Sequence, residues 1–169
     1  MFSSFCHTFN EKNEKSSLEL ANVQSRLRML TLYYYANTKN YLVVGTGNKI
    51  EDFGIGFFTK YGDGGVDLQP IADLTKSEVY LISNELNILD EIKKAKPKDG
   101  LWEDQRSDET QLGFTYEELE WAMKMNKIRN SNFSKKELKI LKKYEILNQK
   151  NNHKMISIPF CKIPPSLKN

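Results

Sequence analysis

Three short segments of this chain hold residue types that could handle phosphates and carboxylates. Gly45-Thr46-Gly47-Asn48-Lys49-Ile50-Glu51 offers backbone N–H groups at two glycines, the Thr46 hydroxyl and the Glu51 carboxylate. A Gly-Thr-Gly turn lets a nucleotide come close to the backbone, and a carboxylate beside it can hold Mg²⁺ against phosphates. The segment lacks the full phosphate-loop motif, and glycines after a strand also serve as a plain turn. Thr59-Lys60-Tyr61-Gly62-Asp63-Gly64-Gly65-Val66-Asp67 gathers Lys60, Asp63 and Asp67 around three glycines. Asp-Gly-Gly is also a hairpin-turn sequence, but loops on a rigid scaffold are where binding groups concentrate. Lys60 suits a phosphate or carboxylate, and Asp67 suits a ribose hydroxyl or an amide donor. Lys76 stands in the first turn of a helix, where its charge opposes the helix dipole. A compensating anion would resolve that conflict, and a solvated lysine is the alternative reading.

The elements that must position these groups follow from periodicity. Leu18, Leu20, Val23, Leu27, Leu30, Tyr33 and Tyr34 recur at helical spacing and predict a long amphipathic helix over 18–37. Tyr41-Leu42-Val43-Val44, ending at Gly45, predicts a buried parallel strand. A glycine-dense loop runs from 45 to 67, and an extended piece near Leu68 supplies a second strand. Three capping boxes, Thr75/Glu78, Thr115/Glu118 and Ser134/Glu137, predict helices over 75–86, 115–126 and 134–147. A short helix is placed in 88–94 and a polar loop over 97–113. Residues 1–17 are weakly patterned and read as a polar lead-in, and 149–169, rich in proline, as an irregular tail. Helix, strand, glycine loop, strand, helix is the order of an α/β unit.

The bulk numbers exclude several classes. A net charge of +3, from 25 basic and 22 acidic side chains, is too mild to argue for nucleic acid. The basic stretch 124–154 reads as a solvated helical face, with an anionic ligand near the C-terminus as the alternative. No apolar run is long enough for a membrane helix, and Met1–Asn10 is too short and mixed for a secretory signal. Cys6 and Cys161 lie far apart and form neither a disulfide framework nor a metal motif, so a reducing cytoplasm is the simplest setting.

The blocks Asn22-Val-Gln-Ser-Arg26-Leu-Arg28-Met29, Gly45-Thr46-Gly47-Asn48-Lys49-x-Glu51, Phe58 to Asp67 and Pro70 to Lys76 resemble consecutive blocks of NAD synthetases. Gly100-Leu101-Trp102, Asp108-Glu109-x-Gln111-Leu112-Gly113 and His153-Lys154 followed by Pro159 resemble the later ones. The resemblance runs over 18–160 in order. It implies the C-terminal part of a Rossmann-like, parallel-sheet ATP pyrophosphatase domain of the adenine nucleotide α-hydrolase type, mostly helical in this stretch. It implies ATP-dependent amidation of deamido-NAD to NAD⁺ through an acyl-adenylate, with ATP as co-substrate, Mg²⁺, and ammonia as the attacking nitrogen, taken up directly or released from glutamine by a further domain. By motif, Thr46 and Lys76 contact ATP, and Glu51 binds Mg²⁺. Arg26, Lys60, Asp67, His153 and Lys154 hold deamido-NAD. The 97–113 loop resembles a lid over the substrates, and a homodimer is implied.

The chain departs from the family pattern in two places. Lys98 stands where the family often has a threonine that meets ATP. The Ser-Gly-Gly-x-Asp-Ser phosphate loop of the family does not occur in these 169 residues, nor do the strands that accompany it. Two readings therefore stand: a synthetase chain inactive by itself and completed by an N-terminal half, or a non-catalytic domain that binds deamido-NAD or pairs with another subunit. A related ATP pyrophosphatase such as a GMP synthetase is a third, and the Lys60-Tyr-Gly-Asp-Gly-Gly65 block argues against it.

Overall fold

The computed structural model describes residues 1–9, 17–102, 104, 106–128 and 132–168. Seven α-helices appear among them: α1 (Phe2–Thr8), α2 (Leu18–Lys39), α3 (Lys76–Glu85), α4 (Asp90–Lys94), α5 (Asp108–Leu112), α6 (Tyr116–Met125) and α7 (Lys135–Met155). A π-helix spans Lys49–Ile55, and a 3₁₀ turn spans Pro165–Leu167. All three capping boxes form, with the Ser or Thr hydroxyl taking the N3 amide and the Glu returning to the cap N–H.

The α/β character rests on one parallel bridge, between Val44 and Leu68. Gly45 N–H donates to Leu68 O at 2.7 Å, and Asp67 N–H to Val43 O at 2.9 Å. The parallel sense matches the sequence reading, but the pairing is one bridge long. Tyr41, Leu42 and Val44 are exposed, so one side of this extended segment lies open. Tyr34 and Tyr35, at the end of α2, are exposed beside it in sequence and stack edge to face.

The main core lies elsewhere. Ile50 and Ile55 of the π-helix meet Tyr116, Leu119 and Ala122 of α6 and Ile140 and Tyr144 of α7, with Leu112 closing the cluster. Burial of this apolar surface drives the packing, at roughly 25 cal/mol per Å².

Five expectations change. Of the Tyr41–Val44 segment, expected to be buried, only Val43 is, because a single bridge to Leu68 covers the segment on one edge. The 45–67 loop contains the π-helix. Asn48 caps it by accepting the amides of Ile50 and Glu51 at 3.0 and 3.1 Å, and Gly56 ends it in the left-handed region, φ +61°. Gly54 and Gly56 disguised this short element as a turn. The lead-in contains α1, whose Cys6 is buried. The 97–113 loop contains α5 at its end. The irregular tail begins at Ile156, since α7 continues to Met155.

The extension of α7 has a physical reason. Asn148, Asn151 and Lys154 recur every three residues on one face. Asn148 donates to Gly54 O at 2.7 Å and Asn151 to Ile55 O at 2.8 Å. Lys154 Nζ donates to Gly56 O and Phe58 O at 2.6 and 2.7 Å. Helix ends leave carbonyls unsatisfied, and this polar face of α7 supplies the donors for the π-helix and the strand of chain after it.

Candidate functional site

The glycine turn beyond Val44 is shaped from below by Asp52. A Cβ at position 47 would lie 2.0 Å from Asp52 Oδ2, so only glycine lets the carboxylate sit there. Gln69 Nε2 donates to Asp52 Oδ2 at 2.6 Å. Burial, then the charges of Glu51 and Asp63, raise the Asp52 carboxyl to a pKa of about 6. Thr46 is exposed above this turn.

The Thr59–Asp67 segment is tied to α2. Ser25 Oγ donates to Asp63 Oδ1 at 2.7 Å, Thr59 N–H joins the same oxygen at 2.9 Å, and Asp63 N–H returns to Ser25 Oγ at 3.0 Å. Thr59 Oγ1 donates to Asn22 Oδ1 at 2.6 Å. Asp63 therefore closes the turn. Asp67 Oδ2 accepts Val43 N–H at 2.8 Å and Oδ1 accepts the Tyr33 hydroxyl at 3.1 Å. Lys60 Nζ donates to His153 O at 2.6 Å, and Arg26 Nε to Lys60 O at 3.3 Å. Lys154 is half-buried, and burial lowers its pKa.

A second group forms between the π-helix, α3 and α6. Glu51 Oε1 accepts Lys76 Nζ at 3.3 Å and the Tyr116 hydroxyl at 2.5 Å. Lys76 Nζ also lies 4.8 Å from the Tyr116 ring centre, a cation–π distance. Tyr116 reaches Asp108 Oδ2 at 3.1 Å. Burial first, then the Glu51 charge, pushes the Tyr116 hydroxyl far above its ordinary pKa, and burial raises the Asp108 carboxyl.

The 97–113 loop is anchored at two points. Arg28 donates to the carbonyls of Asp99 and Gly100, both at 3.1 Å. Asp99 accepts Leu101 N–H, Trp102 Nε1 and Gln111 Nε2 at 2.9, 3.2 and 3.1 Å.

A cavity of about 520 Å³ opens between α2, the Val43–Thr46 segment, the 56–65 segment, this loop and the end of α7. Thr46 and Lys154 line it. Arg26, Lys60, Asp67, His153, Glu51 and Lys76 do not. The structure thus links Arg26, Lys60 and His153 in one chain of contacts and pairs Glu51 with Lys76. It turns Asp67 toward Val43. Sequence reasoning missed Asp52, Asp99, Asp108 and Tyr116. Asp108 lay within a family-like block, but Tyr116 stood only inside the Thr115/Glu118 capping box, and its partner Glu51 comes from a distant segment.

Among the described residues no group of three His, Cys, Asp or Glu gathers in ligating geometry. Glu51 offers a half-buried carboxylate beside Lys76 and next to the glycine turn. That suits Mg²⁺, which takes one or two protein carboxylates and completes its shell with phosphates and water.

A parallel α/β pairing with a glycine turn beyond the strand end is the layout of a Rossmann-like nucleotide-binding domain. The NAD synthase family model matches residues 1–157, and this chain belongs to that family. It is 52% identical over 108 residues to an NH(3)-dependent NAD(+) synthetase of Carboxydothermus hydrogenoformans, covering 64% of this chain and 44% of that protein. It is 42% identical over 155 residues to one from Syntrophomonas wolfei, covering 92% and 58%. A solved NMN synthetase from Francisella tularensis superimposes with a TM-score of 0.76 and 30% identity, over 97% of this chain and 63% of that one. An NH3-dependent NAD synthetase from Campylobacter jejuni, at 23% identity and TM-score 0.69 over 95% and 61%, shares the fold. The fold is thus the Rossmann-like ATP pyrophosphatase fold, mostly helical in this stretch. The chain spans about half the length of the curated relatives it matches. No helix among the described residues is long and apolar enough to cross a membrane.

Proposed function

We propose that this chain is part of a ligase of NAD⁺ biosynthesis that amidates deamido-NAD with ammonia at the expense of ATP. The family match over residues 1–157 carries the reading. The chemistry sets the parts list. A carboxylate is a poor electrophile, so ATP adenylates the nicotinate carboxylate and releases pyrophosphate. Ammonia then attacks the acyl carbon and AMP leaves. The site must neutralise crowded anions. Lys76, at the N-terminus of α3, and Thr46, on the glycine turn, are the groups proposed for ATP. Glu51 is the proposed Mg²⁺ ligand; the ion, when bound, supplies charge neutralisation on the phosphates. Arg26, Lys60, Asp67, His153 and Lys154 are the groups proposed for deamido-NAD. Lys60 and Lys154 are spent on backbone carbonyls in this structure, so ligand binding has to exchange those bonds. The 97–113 loop, anchored by Arg28, is the segment proposed to exclude water from the adenylate.

A second reading concerns substrate size. The solved structure at TM-score 0.76 is named an NMN synthetase, so a deamidated mononucleotide competes with the dinucleotide for the same chemistry. A non-catalytic role in binding deamido-NAD or pairing subunits is the remaining alternative.

We place the phosphate-loop half on another segment. The open side of Tyr41–Val44 and the exposed Tyr34 and Tyr35 suit a partner strand, either in a complementing N-terminal half or in a second copy of a homodimer. Two unpaired cysteines support a cytoplasmic setting.

The test mixes the 169-residue chain with a relative's segment carrying Ser-Gly-Gly-x-Asp-Ser. ATP, Mg²⁺ and ammonium are supplied, with either deamido-NAD or nicotinic acid mononucleotide. Amide product is expected only from the mixture, and the preferred acid identifies the substrate. Turnover by the chain alone would refute its dependence on a partner. Silence of the mixture, with intact deamido-NAD binding by calorimetry, would favour the non-catalytic role.

A further inference from the structure

The Tyr116 hydroxyl has one proton and two carboxylates in reach, Glu51 Oε1 at 2.5 Å and Asp108 Oδ2 at 3.1 Å. A phenol donates one hydrogen bond at a time, so the shorter contact to Glu51 holds the proton and Asp108 is the weaker claimant. Asp108 is only 8% exposed, and its Oδ1 has no partner. This buried acceptor is therefore under-satisfied while Glu51 keeps the proton. Asp108 is also the closing residue of the 97–108 loop. Its N–H donates to Pro97 O at 3.0 Å, and it opens α5 behind the Ser107 cap. Gln111, one turn on, holds Asp99. The hydroxyl thus stands between the Glu51–Lys76 pair and the base of this loop.

We propose that Tyr116 is a positioning residue that couples Glu51 to the base of the 97–108 loop by switching its single proton between Glu51 and Asp108. When Glu51 oxygen is drawn to a cation, it loses strength as an acceptor. The hydroxyl then turns to Asp108, fixing the side chain whose backbone closes the loop. Filling the Glu51 corner therefore tightens the loop base without any contact between the two. The cation step rests on the reading of Glu51 as a metal ligand; the proton switch itself does not.

Hydrogen exchange by mass spectrometry tests it on the full 169-residue chain. The segment 106–113 is followed, with Ile140–Leu147 of α7 as an internal control. Without metal, Glu51→Gln removes the charged acceptor. It should slow exchange in 106–113 about threefold relative to wild type, because local opening free energies set exchange rates. The double variant Glu51→Gln/Tyr116→Phe should lose that slowing, and Glu51→Gln/Asp108→Asn should lose most of it, which covers the case in which removal of the hydroxyl impairs folding. Mn²⁺ added to wild type should reproduce the slowing. Unchanged exchange in Glu51→Gln, or slowing that persists without the Tyr116 hydroxyl, would overturn the switch. Slowing by Glu51→Gln but not by Mn²⁺ supports the proton switch and overturns its coupling to the bare cation.

Discussion

Asp67 and Val43 hold each other twice. The Asp67 carboxylate accepts the Val43 amide at 2.8 Å, and the Asp67 amide donates to the Val43 carbonyl at 2.9 Å. The side chain thereby does for Val43 what a further strand residue would do. Asp67→Ala leaves the Val43 N–H without its acceptor, and the expected loss is about 1–3 kcal/mol in denaturant titration. Asp67→Asn keeps an acceptor oxygen and should recover most of it. A loss of ligand affinity in Asp67→Ala must accordingly be read beside its stability, whereas in Asp67→Asn the two effects separate.

Gly56 and Gly113 make a matched pair for testing contact against conformation. Both have positive φ, +61° and +75°. A Cβ at Gly56 would lie 2.5 Å from Asn151 Cβ in α7, whereas one at Gly113 meets nothing within 4 Å. Gly113→Ala should cost only the left-handed penalty of about 1–2 kcal/mol. Gly56→Ala adds a clash that only movement of α7 can relieve, for a further 1–3 kcal/mol, roughly. Equal losses in the two variants would show that α7 yields freely at Asn151.

Asp52 sets a pH dependence. Its carboxyl is raised from 3.8 to about 6 by burial and by the neighbouring Glu51 and Asp63 charges. Between these values the native state binds more protons than the unfolded one, so stability falls as pH rises from about 4 to about 6 and is level above. The size is of order 2 kcal/mol after allowance for solvent screening. Asp52→Asn should remove this slope and be the more stable protein at pH 8, measured with a chelator present. Parallel melting-temperature curves for the two proteins would refute the assignment.

The capping box of α7 fixes the start of the helix that packs on the π-helix and α6. Ser134 Oγ accepts the Glu137 amide at 3.3 Å, and Glu137 bonds back to the Ser134 amide at 2.7 Å. Ser134→Ala should cost about 0.5–2 kcal/mol, and Ser134→Gly only a few tenths of a kcal/mol, roughly. For a chain of this size 1 kcal/mol corresponds to about 2–4 °C in melting temperature. Circular dichroism melts of the two variants check both magnitude and order.

What the sequence determined by itself is local. Helix starts were legible at Thr75, Thr115 and Ser134 because a capping box is a short-range pattern of hydrogen bonds. The parallel sense of Val44 against Leu68 followed from the order of elements. The family blocks named Glu51, Lys76, Lys60 and the rest because residue type and spacing survive in a linear string. What only the tertiary structure decided depends on partners far apart in the chain. Asn148, Asn151 and Lys154 fell past the expected end of the last helix, toward a tail read as irregular, and became one helical face only because the carbonyls of Gly54 to Phe58, some 94 to 98 residues away, take their donors. Tyr116 stood in the sequence only inside the Thr115/Glu118 capping box, and its one hydroxyl proton gained a role only when folding set it between Glu51 and Asp108, 65 and 8 residues distant. Periodicity reports which face of an element is apolar. It carries no record of which distant donor will meet which acceptor, and in this protein those meetings shape the site.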